Sequence, residues 1–546
     1  MVLHKHRYPR TGMVAKVALF SRLLVIFLAL VANALVDDYD SSFALTMQPP
    51  PRWSSETAHA PLEPGALSDA YAYHLGPGQA VDAVQPSNYP GRPTLTDDSN
   101  GLGLDVQHVL GSWLQVFVRW DAVYFVHLAE EGHYIFEQEH AFFPMLPLLI
   151  RFVASTVLHP LIALVGFRLT IILAGVLVSN ASFIASAVVL YRLGVDVLLD
   201  ERLAYLAALC YCFTPSNIFM SAIYTESLFA LFSFICMRLV AQRHYLLTAY
   251  FISLGSLTRS NSIVYCGFFL YDLLVHPLQH HQRQRPLLAQ VGAIAWAGAR
   301  ATVYCAIALT GFVLFQLYGY KLYCTSAQIN RPWCHARIPL LYSFVQTHYW
   351  NVGFLNYYEL KQIPNFLLAG PMIALSAWGI YTYARANWRR FLSAGIASHG
   401  VSHDEARSMS PARAAYTNDA LIPHVYLWLV LLLYALLNIH IQVITRFFSS
   451  QPIVYWFSAY VFLQPPTPTT NPSHRAQRKP LAVSPSGKRA HPRSTPLLRT
   501  PTATAKTPHL RGPPHQLSPA AQCLLYYYSC YGFIGIVLFS NFFPPA

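Results

Sequence analysis

From Ala141 to the C-terminus the chain is a close succession of apolar runs, many of them long enough to cross a bilayer. Crossing a hydrocarbon core of ~30 Å takes about 20 helical residues. Where there is no water, backbone polar groups must be satisfied inside a helix or a closed barrel. The runs lie near 142–165, 169–191, 203–221, 224–242, 246–271, 289–318, 365–384, 421–444, 452–463 and 522–541. A further run spans Val17 to Val36. The sequence therefore predicts an all-α polytopic membrane protein with about ten or eleven membrane segments. Composition agrees, because only 11% of residues are charged, against about 25% in soluble proteins.

Topology is set by charge. Lys5, Arg7, Arg10 and Lys16 precede the first run and place the N-terminus (1–36 with its segment) in the cytosol. Ala32-Asn33-Ala34 also fits a signal-peptidase site; retained or cleaved, the segment delivers residues 37–140 to the lumen. That stretch holds fifteen acidic residues and three basic ones, as expected of a lumenal loop. Its Pro-, Ser- and Gly-rich part, 37–104, is expected to be disordered, with order from 105 to 140. Membrane helices (141–320), a second lumenal loop (321–364) and more helices (365–463) come next, with a basic cytosolic loop at 385–418. The segment 464–519 has thirteen prolines, nine Lys or Arg and no acidic residue, so it is expected to be a disordered cytosolic insertion. The last helix lies in 520–546. The net charge of +13 comes mostly from that insertion and says nothing of nucleic acid. The cysteines have no zinc spacing, and there is no Gly-rich phosphate loop.

The candidate chemistry sits where charge meets apolar sequence. Arg119-Trp120-Asp121 stands just before the first sustained membrane block. A carboxylate there can take a proton from a sugar hydroxyl while an indole stacks on the ring; an interfacial belt with a helix-capping Asp has the same composition. Glu226 and Arg259 lie within apolar runs. Folding the hairpin about Gln242–Tyr245 brings Glu226 level with Asn261, so Glu226 and Arg259 can pair, either to fix register or to bind substrate. Arg446 is either a phosphate ligand or a snorkelling cation. In the second lumenal loop, Trp350, Asn351, Glu359 and Lys361 stand in a stretch whose rings and amides suit carbohydrate; an aromatic belt reads similarly. Cys324 and Cys334 either pair or stay free. Asn180-Ala-Ser matches a glycosylation sequon inside an apolar run and is discounted.

These motifs, taken in order, resemble the PIG-V mannosyltransferase family. The similar stretches are Arg119-Trp-Asp with Phe125, Ala129-Glu130, Gly132-His-Tyr and Ala141-Phe-Phe-Pro144; Tyr224-Thr-Glu-Ser-Leu-Phe-Ala230; and Arg259-Ser-Asn261, with Ser262 where the family has Gly. Tyr349-Trp-Asn-Val-Gly-Phe354, Lys361-Gln-Ile-Pro-Asn-Phe-Leu-Leu-Ala369, Thr445-Arg-Phe-Phe-Ser-Ser450 and Leu538-Phe-Ser-Asn-Phe-Phe543 complete the set. The resemblance implies a GT-C glycosyltransferase of the endoplasmic-reticulum membrane with large lumenal loops. It implies transfer of mannose from dolichol-phosphate-mannose, as the second, α-1,6-linked mannose, to the GPI glycolipid, with no metal or other cofactor. Asp121 matches the acidic catalytic residue of the first lumenal loop. Arg119, Trp120, Glu226, Arg259, Asn261, Trp350, Asn351, Glu359, Lys361 and Arg446 are the implied substrate-binding set. A small membrane-embedded partner subunit is also implied. The rival readings are another dolichol-dependent mannosyl transfer, a transporter with Glu226 and Arg259 at its midplane, and an inactive structural subunit.

Overall fold

With no water at bilayer depth, backbone groups must be paired by the chain itself. Among the described residues the chain meets this with helices and turns and no strand. The computed structural model describes residues 8–39, 101–280, 287–325, 331–396, 409–465 and 517–543. The expected disorder at 37–104 and 464–519, and the middle of the loop 385–418, fall almost wholly outside those residues.

The principal helices are α1 (Thr11–Leu35), α2 (Gly101–Leu114), α3 (Ala122–Glu131), α4 (Met145–Ser155), α5 (His159–Val165), α6 (Phe167–Leu198), α7 (Glu201–Cys212), α8 (Glu226–Ala241), α9 (Tyr245–Ser256), α10 (Leu287–Cys324), α11 (Leu341–His348), α12 (Ile363–Ala386), α13 (Ile422–Asn438), α14 (Pro452–Phe462) and α15 (Pro519–Ser540). Six of them, α1, α6, α10, α12, α13 and α15, are long and apolar enough to cross a membrane singly. The pair α4 and α5 adds a seventh only as a span bent by 80°. The expectation of ten or eleven segments is corrected in form. The run 203–221 is not one helix: α7 stops at Cys212, and the chain stays in turns and bends until Glu226. Pro215 explains the stop, since it lacks the N–H a further turn would need. Likewise α9 ends at Ser256 and gives way to a 3-10 turn at Ser260–Tyr265 that begins within Thr-Arg-Ser-Asn-Ser, whose short polar side chains compete for backbone bonds. The run 421–444 ends as a helix at Asn438. The apolar content is as expected; its continuity is not.

The core is built round α6, which packs against α8, α7, α1 and α4. The hairpin α8–α9 turns at Gln242–His244, as the sequence predicts. Against α9 lies α10; a side chain on Gly311 would collide with the Ser253 carbonyl, so glycine permits the approach. The C-terminal ends of α1 and α15 meet, with the Tyr39 N–H donating to the Asn541 carbonyl at 2.9 Å. Asn180 spends its amide on the carbonyls of Val176 (2.7 Å) and Ser221 (3.1 Å), a packing role.

Helix α10 runs on to Cys324, past residue 320 where the second loop is expected to begin. Cys324 and Cys334 are disulfide-bonded. Their loop docks on the first one through buried Glu137, which accepts from Trp333 Nε1 (2.9 Å) and Tyr349 OH (2.9 Å) and pairs with Arg331 (3.3 Å). Closing a loop of this size stabilises by roughly 2–3 kcal/mol. Cys324→Ser, Cys334→Ser and the double variant should therefore lower the melting temperature of the detergent-solubilised protein equally. A double variant worse than either single one would refute the pairing.

Candidate active site

Asp121 stands between a single turn at Gln115–Phe117 and α3. Trp120, just before it, has φ of 55°, a left-handed conformation that costs a bulky residue about 1–3 kcal/mol. Its ring lies 5.2 Å from Phe542 at the end of α15. Arg119 and Asp121, on either side, take partners from different elements. Arg119 is wholly buried and donates to Asn33 Oδ1 (2.9 Å) and Asp38 (3.0 Å) beyond α1. Asp121 occupies the N-cap position of α3, yet its carboxylate makes no capping bond. It accepts instead from Arg446 Nη2 at 3.0 Å.

Arg446 is no snorkelling cation. It sits in a single helical turn, Ile444–Phe447, between α13 and α14. Its Nε donates to Glu226 Oε1 at 2.9 Å, and its guanidinium lies over the rings of Phe219 (4.5 Å) and Tyr224 (4.7 Å). Glu226 is the first residue of α8, where the helix dipole favours a carboxylate. The same Oε1 receives Arg259 Nη1 at 3.0 Å, which confirms the pairing expected across the hairpin. Arg259 also reaches Thr225 Oγ1 at 3.4 Å. The result is a chain of alternating charge, Asp121–Arg446–Glu226–Arg259, drawn from four separate stretches. Exposure falls from 36% for the Asp121 side chain through 16% for Arg446 to 0% for Glu226 and rises again to 22% for Arg259. Glu226 is thus an anchor for two guanidiniums. Asp121 and Arg259 are the most reachable groups, with Arg446 partly accessible between them.

The remaining candidates divide. Asn261 is buried in the turn after Arg259, and its Nδ2 has no hydrogen-bond partner among the described residues. Trp350 packs edge-on against Tyr124 (6.3 Å), one helical turn from Asp121, and against Phe142 (6.0 Å), with its indole N–H buried and unpaired among the described residues. Asn351 has φ of 50° and accepts from Asn356 at 3.4 Å. Glu359 and Lys361 pair with each other on the surface and do not join the ion chain. The loop they belong to is tied to the approach to Arg446. Leu355 N–H donates to the Leu437 carbonyl (2.7 Å), Tyr358 OH to that of Leu436 (2.8 Å), and Tyr357 stacks on His440 at 4.7 Å.

Sequence reasoning misses three elements. Phe219, in the aromatic floor under Arg446, reads only as an apolar residue, and Tyr224 beside it stands in a family-like stretch without a role of its own. Arg22, inside the first apolar run, has no partner nearby in sequence to mark it. His127, on α3, pairs with buried Glu139 at 2.6 Å, and Glu139 also accepts from the backbone N–H groups of Ile135 and Phe136. Burial works against charge on His127, but the hydrogen bond and charge of Glu139, with Glu131 and Glu130 behind it, more than reverse this and raise its pKa. Nearby His140, enclosed by Tyr134, Phe315 and Tyr323, is pushed by burial down to about 4.

Residues 94–546 match the family model described as Mannosyltransferase (PIG-V). The chain is 32% identical over 452 residues to the Homo sapiens protein named GPI alpha-1,6-mannosyltransferase 2, covering 78% of this chain and 87% of that one. It is 33% identical over 454 residues to the Mus musculus protein of the same name, with the same coverage. It is 32% identical over 351 residues to GPI mannosyltransferase 2 of Schizosaccharomyces pombe, covering 64% and 66%. No solved structure matches.

Removing one partner of a buried ion pair strands the other charge, at about 3–5 kcal/mol. Glu226→Gln should therefore destabilise strongly, seen as loss of the monodisperse protein peak at steady state, whereas Glu359→Gln should not. The His127–Glu139 contribution to stability is full below the unfolded histidine pKa of about 6.5 and is lost as pH rises through the raised folded value. The melting temperature should fall across that window, and His127→Gln should flatten the fall. An unchanged slope in the variant would rule out the pair as its source.

Proposed function

The chain belongs to the PIG-V mannosyltransferase family, and on that premise we propose that Asp121 is its general base, with the ion chain behind it receiving the donor phosphate. The protein is a multi-pass mannosyltransferase of GPI biosynthesis in the endoplasmic-reticulum membrane, of the all-α GT-C type. Its relatives are named for α-1,6 transfer, and the same step, addition of the second mannose to the GPI precursor on the lumenal side, is the reaction we assign to it. Dolichol-phosphate-mannose is the donor in this reading. An isoprenoid-linked sugar and a glycolipid acceptor both present their reacting groups at a membrane edge, and Asp121 lies in the loop between α1 and the helices that follow from α4 on.

The observation that carries the reading is the state of the Asp121 carboxylate. It is the most exposed member of the ion chain, it caps no helix, and Arg446 orients it. It takes the proton from the 6-hydroxyl of the first mannose as that oxygen attacks the anomeric carbon. Attack from the face opposite the phosphate turns the β-linked donor into an α-linked product, through charge resembling an oxocarbenium ion. Dolichol phosphate leaves as a stable anion, so the scheme calls for no metal or cofactor. Arg259, paired with the Glu226 carboxylate, and Arg446, shared between two carboxylates, offer positive charge to that phosphate.

Complementation of cells lacking GPI mannosyltransferase 2 tests the assignment, with GPI intermediates read by lipid analysis. The wild-type chain should clear a one-mannose intermediate. Asp121→Asn keeps shape but removes the base, and should lower activity by on the order of 10²–10⁴ at normal protein levels. Near-normal turnover by the variant would end the base assignment. Accumulation of a different intermediate would move the enzyme to another dolichol-dependent step.

A further inference from the structure

Helix α1 crosses the bundle with an arginine at its middle. Arg22 is 1% exposed, and among the described residues it has no carboxylate partner. Its fork is spent on the neighbouring unwound chain. Nη1 donates to the Asn217 carbonyl (2.8 Å) and to Ser221 Oγ (3.0 Å), and Nη2 to the Cys212 carbonyl (3.3 Å). Its Nε reaches Ser21 Oγ at 3.3 Å, and the guanidinium lies 3.7 Å over the Phe183 ring of α6. A charge at bilayer depth is costly, and one without a counter-charge is costlier still.

What Arg22 holds identifies its use. Cys212 is the last residue of α7, so its carbonyl is one of those a helix end leaves unpaired. Asn217 and Ser221 belong to the turns that carry the chain from there to Glu226. Between them lies Phe219, and three residues beyond Ser221 lies Tyr224; these two rings are the floor on which Arg446 sits. The same segment grips the loop of Asp121, through Tyr224 OH on the Arg119 carbonyl (3.1 Å) and Ile223 N–H on the Phe117 carbonyl (3.4 Å). We propose that Arg22 is a positioning residue for the transfer reaction: it fixes the unwound segment 213–225 so that Phe219 and Tyr224 place Arg446 between Asp121 and Glu226. This rests on the reading that Asp121 and Arg446 carry the chemistry. A guanidinium suits the task because its rigid fork spans two carbonyls and a hydroxyl, whereas an ammonium is a single point of charge.

The test uses the full chain in microsomes from cells lacking GPI mannosyltransferase 2, with rates taken at matched amounts of monodisperse protein. Arg22→Gln and Arg22→Lys should both lower kcat by on the order of 10–100-fold, the scale of a small misplacement of reacting groups. Lysine should not rescue. Combined with Phe219→Leu, the loss from Arg22→Gln should fall short of the product of the two single losses, because both act on the seat of Arg446. Wild-type kcat in either Arg22 variant, or losses that multiply as independent ones do, would overturn the proposal. Where the Arg22 variants do not accumulate, Ser221→Ala decides: it removes one acceptor of the fork and should lower kcat by a smaller factor, again non-additively with Phe219→Leu. Unchanged kcat there overturns the proposal equally. Failure of the underlying reading is separate, since it shows as a wild-type chain that clears no intermediate or as an active Asp121→Asn variant.

Discussion

Everything near the site depends on Arg446 being held between two carboxylates. At an effective dielectric well below that of water, an arginine over two aromatic rings is secure only if its charge is answered, and Glu226 answers it at Nε and Asp121 at Nη2. Glu226 in turn is tolerable at full burial only because two guanidiniums and the start of α8 neutralise it. Take away Glu226 and Arg259 loses its carboxylate; take away Arg446 and Asp121 loses its cation. The site is therefore also a fold constraint: it ties α3, α8, the turn after α9 and the turn before α14 at one point.

Those ties need irregular backbone, and irregular backbone is expensive in a bilayer. A straight helix through 213–225 would satisfy its own hydrogen bonds but would carry Phe219 and Tyr224 to different places round its axis. The chain instead breaks at Pro215 and finds donors elsewhere: Arg22 for the Cys212 and Asn217 carbonyls, the Asn180 amide for that of Ser221. Non-helical chain at membrane depth is tolerated where it is buried in protein, and here it is enclosed by α1, α6 and the loop of Asp121.

How much of this is legible in the sequence depends on distance along the chain. The Glu226–Arg259 pair can be read because both residues sit on one hairpin, and helical rise alone sets their level. Asp121 can be nominated by its place at the membrane edge and by family resemblance, but its partner lies 325 residues away, and nothing local in Thr-Arg-Phe-Phe distinguishes a central arginine from a snorkelling one. Hydropathy reports the short helices α7, α8, α9 and α14 as spans because it averages over breaks. Cys324 and Cys334 leave two outcomes open in the sequence, and the fold chooses one. Ser262, where the family has glycine, is accommodated by a glycine opposite. Its hydroxyl bonds the Ile252 carbonyl (2.9 Å), and any side chain on Gly255 would meet that hydroxyl at 2.5 Å.

The difference in exposure between the two carboxylates of the ion chain, 36% for Asp121 and 0% for Glu226, explains why Asp121 is the one suited to chemistry. A base must lose its hydration to the acceptor alone and must recover a proton-free state after each turnover, so it has to stay reachable. Glu226, equally charged and equally close to Arg446, is sealed and cannot meet a sugar. Asp121 reaches the surface because Trp120, in its left-handed conformation, turns the chain between a buried arginine and a half-buried aspartate. Strain at Trp120 is then the cost of anchoring the loop by Arg119 while presenting the carboxylate two residues further on to solvent. A chain without that turn would have to give up either the anchor or the access.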